Sequence, residues 1–164
     1  MEELDLVDKE DRIIGRVTRS DVHGNPNLIH RVAHVLVFNS KGELFLQKRA
    51  MNKTVQPGKW DTSVGGHVDA GEDYESAAVR ETAEELGIIS GAGAFEYLYK
   101  YRHGNDYESE YVSTYRLFWD GRIVLEESEI EEGRFWRLEE IQAADISIFT
   151  PNFLSELNRY LSRQ

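Results

Sequence analysis

The stretch GHVDAGEDYESAAVRETAEELGI, residues 66–88, decides how this chain is read. It begins as a loop, in which Gly66 and Gly71 permit positive φ or a close approach to a ligand. From Asp73 to Leu86 there is no Gly or Pro, and Ala, Glu, Arg and Leu favour a helix. Gly87 stands where a glycine would end it. At about 100° per residue, Glu81, Glu84 and Glu85 share one side, while Val79, Ala83 and Leu86 share the other with Thr82 at the border. Three carboxylates on one face repel one another. The face is therefore either solvated or built for a hard cation such as Mg²⁺, which prefers oxygen ligands.

The complete spacing carries more than the helix does. Gly66, Glu72, Arg80, Glu81, Glu84, Glu85, Gly87 and Ile88 fill eight of the nine constrained places of a pattern that resembles the Nudix box. Thr82 occupies the ninth, where a bulky aliphatic residue is usual; its methyl can still pack. The resemblance implies an α/β fold, an α/β/α sandwich around a mixed β-sheet. It implies that Glu81, Glu84 and Glu85 hold one or more Mg²⁺ ions, with Mn²⁺ as the alternative. It also implies that Arg80 orients a box glutamate, while Gly66, Glu72 and Gly87 shape the loop and helix end. The implied reaction is attack of water on phosphorus in a diphosphate, the metal polarising phosphoryl oxygens and a carboxylate acting as base. The box does not name that base.

Composition narrows the partners. The formal net charge of −11 argues against nucleic acid, which needs a basic face, and against an anionic membrane surface. An acidic protein handling phosphates needs a metal between like charges. No cysteine is present, which removes disulfides, thiolate metal sites and thiol nucleophiles. With no signal peptide and no long apolar run, the expectation is a cytoplasmic protein of one domain, residues 1–164.

Around the box, Leu4–Val7 and Ile13–Val17 read as a small hairpin at a sheet edge, and Ser20–Leu28 as a loop. His30–Phe38 and Glu43–Arg49 form the clearest hairpin, turning at Asn39-Ser-Lys-Gly. Trp60–Val64 leads as one short strand into the box. Beyond the helix, Phe95–Arg102 and Tyr111–Trp119 read as antiparallel strands, Ile123–Leu125 as an edge strand and Glu126–Glu132 as an acidic loop. Gly133–Leu138 is a last strand and Glu139–Ala144 a short helix. A terminal helix follows, capped by Thr150 with Pro151 at its first position, its packing stripe being Leu154, Leu157 and Leu161.

A second set of polar residues lies outside the box. Arg49 and Lys53 flank a loop where they either grip a diphosphate or are simply solvated. His23, His30 and His67 are three of five histidines, and Glu108 and Glu110 alternate toward one side of a strand. The segment from Leu28 to His67 is similar to the core of the type 1 isopentenyl-diphosphate isomerases, which belong to the same superfamily. That resemblance puts a second metal site at His23, His30, His67, Glu108 and Glu110, and diphosphate-gripping cations at Arg49 and Lys53. It also puts the isomerases' catalytic cysteine at about Gly65, where this chain has no side chain at all.

The reading is a divalent-metal-dependent hydrolase of a small-molecule diphosphate, in a nucleoside diphosphate derivative. A non-catalytic nucleotide-binding module and an isomerase are the alternatives. Many Nudix proteins are dimers, which leaves a homodimer open.

Overall fold

The computed structural model describes residues 2–163. Its centre is β3 (Ile29–Phe38), whose run of β-branched and aromatic residues is buried along almost its whole length. One flank of β3 is a ten-pair parallel ladder with β8 (Ser109–Phe118), from Ile29–Ser109 to Phe38–Phe118. The other flank is shared by β6 (Val64–His67), antiparallel over four pairs, and by β1 (Glu3–Val7), joined at Val7–Ile29. β2 (Ile13–Thr18) lies outside β1, β7 (Glu96–Gly104) outside β8, and β4 (Leu44–Arg49) joins the short β5 (Trp60–Asp61) and β9 (Ile130–Trp136). All nine strands form one mixed sheet.

Alternation along β3 sends side chains to two faces, and each face acquires its own core. Ala33, Val35 and Val37 meet Ala77, Ala78 and Leu86 of α2 (Tyr74–Leu86) on one side. Leu36 and Phe38 meet Phe153, Leu157 and Tyr160 of α4 (Pro151–Ser162) and Ile141 of α3 (Leu138–Ala143) on the other. Helices on both faces of a mixed sheet give the expected α/β/α arrangement.

Local chemistry explains the ends of the elements. Asp73 caps α2 by accepting the Ser76 amide at 2.7 Å, and Gly87 closes it at φ 65°, where a β-carbon would press within 3.0 Å of Val124. Thr150 caps α4 by accepting the Phe153 amide, with Pro151 following as expected.

Several expectations are corrected. The β3–β4 hairpin pairs only at Phe38–Leu44 and then opens, because β6 and β8 claim the two edges of β3. Trp60–Val64 is two strands with different partners, β5 on β4 and β6 on β3. Ile123–Leu125 is not a strand; the amides of Val124 and Glu126 instead cover the carbonyls of Leu86 and Glu85 at the end of α2. Overlapping the start of Ser20–Leu28, a single helical turn, α1 (Arg19–Val22), forms under the capping box of Thr18 and Asp21. The last strand starts at Ile130, inside the supposed acidic loop. Helix α2 buries Ala77, Ala78, Thr82 and Leu86 rather than Val79 and Ala83. Thr82 hides its hydroxyl on the Ala78 carbonyl, 2.7 Å away, so its polar atom costs the core little. In α4 the buried positions are Phe153, Glu156, Leu157 and Tyr160, whereas Leu161 is exposed.

Candidate active site

One cleft of about 580 Å³ opens where the glutamate face of α2 meets the end of β3, and its walls include residues from both sequence clusters. The box supplies the first wall. Arg80 donates to both oxygens of Glu72 at 2.8 and 2.9 Å, to Glu81 at 2.7 Å and to the His67 carbonyl at 3.0 Å. A longer bond of 3.4 Å reaches Glu84, the most exposed of the three box carboxylates. Arg80 therefore welds the loop after β6 to the helix, and its charge is reinforced by Glu72 and Glu81. Glu72 also accepts the Asp69 amide at 3.0 Å, which makes it a loop tie.

Glu85 lies deepest. Burial pushes its carboxyl well above the usual range, Gln47 opposes this through a 2.7 Å bond from Nε2, and neighbouring Glu81 raises it further. Gly66 is what lets Glu81 come in: a β-carbon there would sit 2.3 Å from the Glu81 carboxyl carbon. Two carboxylates crowded in a partly closed site, one of them reluctant to ionise, form an oxygen donor set that fits a hard divalent cation.

The second wall is the sheet face. The β3–β8 ladder sets His30 directly beside Glu110, and Glu108 lies near them; one ligand atom from each falls within 4.8 Å of the others. His30 is fully buried, and its Nε2 is 3.2 Å from Glu110 and 4.0 Å from Glu108. Yet neither ring nitrogen makes a hydrogen bond. His23 stands 3.7 Å from Glu108, and the ring of His67 is 5.0 Å from that of His30. All five residues of the expected second site thus converge. Burial, then His30 and Arg19, depress His67 to about 4, so it is neutral and able to donate a lone pair. Burial also depresses His23. Burial and then Glu110 raise the carboxyl of Glu108. Burial opposes the charge of Glu110 as well, but the surrounding His30, His34 and His103 hold its carboxyl below the usual range. A buried imidazole whose nitrogens make no hydrogen bond, set beside two carboxylates, is a donor set that could hold a divalent ion.

The cations close the third side. Arg49 bonds the Val55 carbonyl at 2.9 Å and reaches Asp61 at 3.5 Å, while Lys53 pairs with Glu129. Burial and Arg49 lower the ammonium of Lys53. Both line the cleft, so they are neither free in solvent nor free of carboxylate partners. Of the aromatic residues, Trp60 is locked against Trp136, and Tyr107 stacks beside His23 at 5.3 Å.

Sequence reasoning missed Gln47, His34 and Glu156. A β-carbon at Gly65 would lie 3.1 Å from Cδ2 of His34, so the place matched to the isomerases' thiol is crowded by an imidazole.

The chain matches the NUDIX domain over residues 28–157. It is 35% identical over 161 residues to an uncharacterized Nudix hydrolase of Pseudomonas aeruginosa, covering 94% of this chain and 90% of that protein. It is 31% identical over 147 residues to isopentenyl-diphosphate Delta-isomerase 1 of Photorhabdus laumondii, covering 87% of this chain and 83% of the relative. The crystal structure of DR0079 from Deinococcus radiodurans superposes with a TM-score of 0.79 at 28% identity, over 99% of this chain and 100% of that one. Among the described residues no helix is long and apolar enough to cross a membrane.

Proposed function

Since the chain belongs to the Nudix family, whose enzymes use divalent metals, we propose that it hydrolyses a diphosphate linkage in a nucleoside diphosphate derivative, by attack of water on phosphorus. The observation that carries this reading is the shared cleft: Glu81, Glu84 and Glu85 line the same space as Arg49 and Lys53. Carboxylates alone would repel a diphosphate and cations alone would merely bind it.

In this reading Glu81, Glu84 and Glu85 hold Mg²⁺, or Mn²⁺ in its place, and His23, His30, His67, Glu108 and Glu110 hold a second ion. A bound divalent ion supplies charge neutralisation and polarisation of the phosphoryl oxygens. The chain's own groups do the rest. Arg80 fixes the angle at which Glu81 and Glu84 enter the cleft. Gln47 orients Glu85 and keeps its Oε1 engaged. Arg49 and Lys53 receive the diphosphate, exchanging carboxylate partners for phosphate oxygens. An isomerase is disfavoured because the chain has no thiol and His34 crowds the space beside Gly65.

The test is Mg²⁺-dependent product release from a panel of nucleoside triphosphates, ADP-ribose, NADH, dinucleoside polyphosphates, coenzyme A and isopentenyl diphosphate. Wild type runs beside Glu85→Gln. Turnover that the variant loses supports the hydrolase. Nucleotide binding without turnover by the wild type would replace it with a non-catalytic module.

A further inference from the structure

His34 belongs to neither metal-type cluster nor to the cation pair. His34 projects from β3 on the His30 face and lines the cleft between the two walls. Its Nδ1 lies 2.7 Å from Oε1 of Glu156, a residue of α4 that is completely buried. Glu156 also receives the hydroxyls of Tyr99, of Tyr101 at 3.0 Å and of Thr114, which is 3.2 Å from each oxygen. Burial opposes ionisation of this carboxyl, but His34 and the two tyrosines hold it below the usual range. An ionised Glu156 keeps the proton of His34 on Nδ1 and turns Nε2 the other way.

That second nitrogen has no hydrogen-bond partner among the described residues, and unlike the nitrogens of His30 it is not sealed off. Gly65 keeps it open: a β-carbon there would stand 3.3 Å from Nε2. The backbone of Gly65 in turn lies against the carboxylate of Glu85. A buried ion pair is a poor choice as glue, because apolar packing of the same volume is often as stable. A pair that leaves one imidazole nitrogen aimed into an anion-handling cleft has a use for it.

We propose that His34, positioned by Glu156, touches the substrate, Nε2 donating a hydrogen bond to a phosphate oxygen of the bound diphosphate. The proposal rests on the hydrolase reading for the class of ligand, not for the contact. Donation requires the imidazolium. The groups around His34 are Glu156 with the hydroxyls of Tyr99, Tyr101 and Thr114 that bond it, and the charges of Glu110 on β8 and Asp61 on β5. Burial works against its charge, but Glu156 and then Glu110 and Asp61 outweigh burial and raise it. The contact is therefore favoured at lower pH and weakens as pH rises.

The experiment follows imidazole signals by NMR in the full chain with Mg²⁺, with and without methylenediphosphonate, which cannot be hydrolysed. His34 is assigned by through-bond connection and by loss of its signal in His34→Asn. The expected result is an upward shift of the His34 titration on adding the analogue. Binding of the analogue should weaken at least tenfold in His34→Asn at pH 6 and by a smaller factor at pH 9. Glu156→Gln should move that pH dependence to lower pH without removing it. An unshifted His34 titration, a loss of affinity equal at both pH values, or no binding of the analogue to wild type would overturn the proposal. Should His34→Asn fail to fold, the wild-type titration decides. Turnover measured in parallel separates the two readings. A shifted His34 without turnover of any substrate removes the hydrolase alone, and turnover with an unshifted His34 removes this contact alone.

Discussion

On the helix side of the cleft Arg80 bonds Glu72, Glu81 and Glu84 at once, and Gln47 holds Glu85. On the sheet side neither ring nitrogen of His30 makes a hydrogen bond, and its Nε2 meets Glu110 only as an ion pair at 3.2 Å. The first wall is largely satisfied by the protein itself; the second is left unfinished. Each orphaned buried donor or acceptor costs about 1–3 kcal/mol. The helix side is thus the better candidate for chemistry, where groups must be held still, and the sheet side for tight retention of an ion.

The largest effect should come from Glu85→Gln. Its kcat should fall at least 10³-fold, about 4 kcal/mol of barrier, while Tm holds or rises, because a carboxyl that resists ionisation has been replaced by a neutral amide. Retained kcat, read with stopped-time product assays, would reverse the assignment of the two walls. The next effect is on stability. Glu156→Gln should cost about 3 kcal/mol, since it leaves His34 charged or orphaned beside a buried amide. Its pH dependence has a definite sign. His34 is raised above 6.5, so its contribution is full below that value and fades as pH climbs through the raised pKa. Glu156 is depressed below 4.5, so its contribution is full above that value and fades as pH falls through the depressed one. Denaturant titrations should therefore find the largest wild-type advantage between pH 4.5 and 6.5, narrowing on both sides. A gap independent of pH would mean the pair is not ionised.

Smaller again is the effect that sharpens the contrast directly. Glu110→Gln should weaken the tighter of two classes of Mn²⁺ site at least about tenfold, measured by calorimetry, and leave the weaker class intact. Glu81→Gln should do the opposite. One class of site, weakened alike by both variants, would show that the walls share a single ion. The smallest effect belongs to Thr82→Val. Removing a hydroxyl already bonded to the Ala78 carbonyl should change stability by under about 1 kcal/mol, read from Tm, with kcat unaltered.

How much of this was legible before the structure differs between the same two walls. The helix side was legible in outline because its residues lie on one helix, where spacing fixes the face. Even so, spacing could not show that Gly66 makes way for Glu81, since that contact joins a strand to a helix. The sheet side was not legible from pattern. His30 and Glu110 meet only because β3 and β8 pair in parallel, and no periodicity links residues so far apart; the isomerase resemblance brought them together instead. Glu156 went unnoticed because Leu154, Leu157 and Leu161 suggested a stripe rotated from the true one. An acidic residue set between Phe153, Leu157 and Tyr160 was the available signal, a charge on an apolar face that needs a buried partner.

The β3–β8 ladder has one more consequence, for the order of events in folding. It joins Ile29 to Ser109, eighty residues further along, and the meeting of His30 with Glu110 depends on it. Closing so large a loop comes late and slowly compared with forming α2 or the β7–β8 hairpin. A divalent ion therefore meets no complete sheet-side site in the early chain. It should leave the folding rate nearly unchanged and act on the reverse step, holding the finished molecule against unfolding.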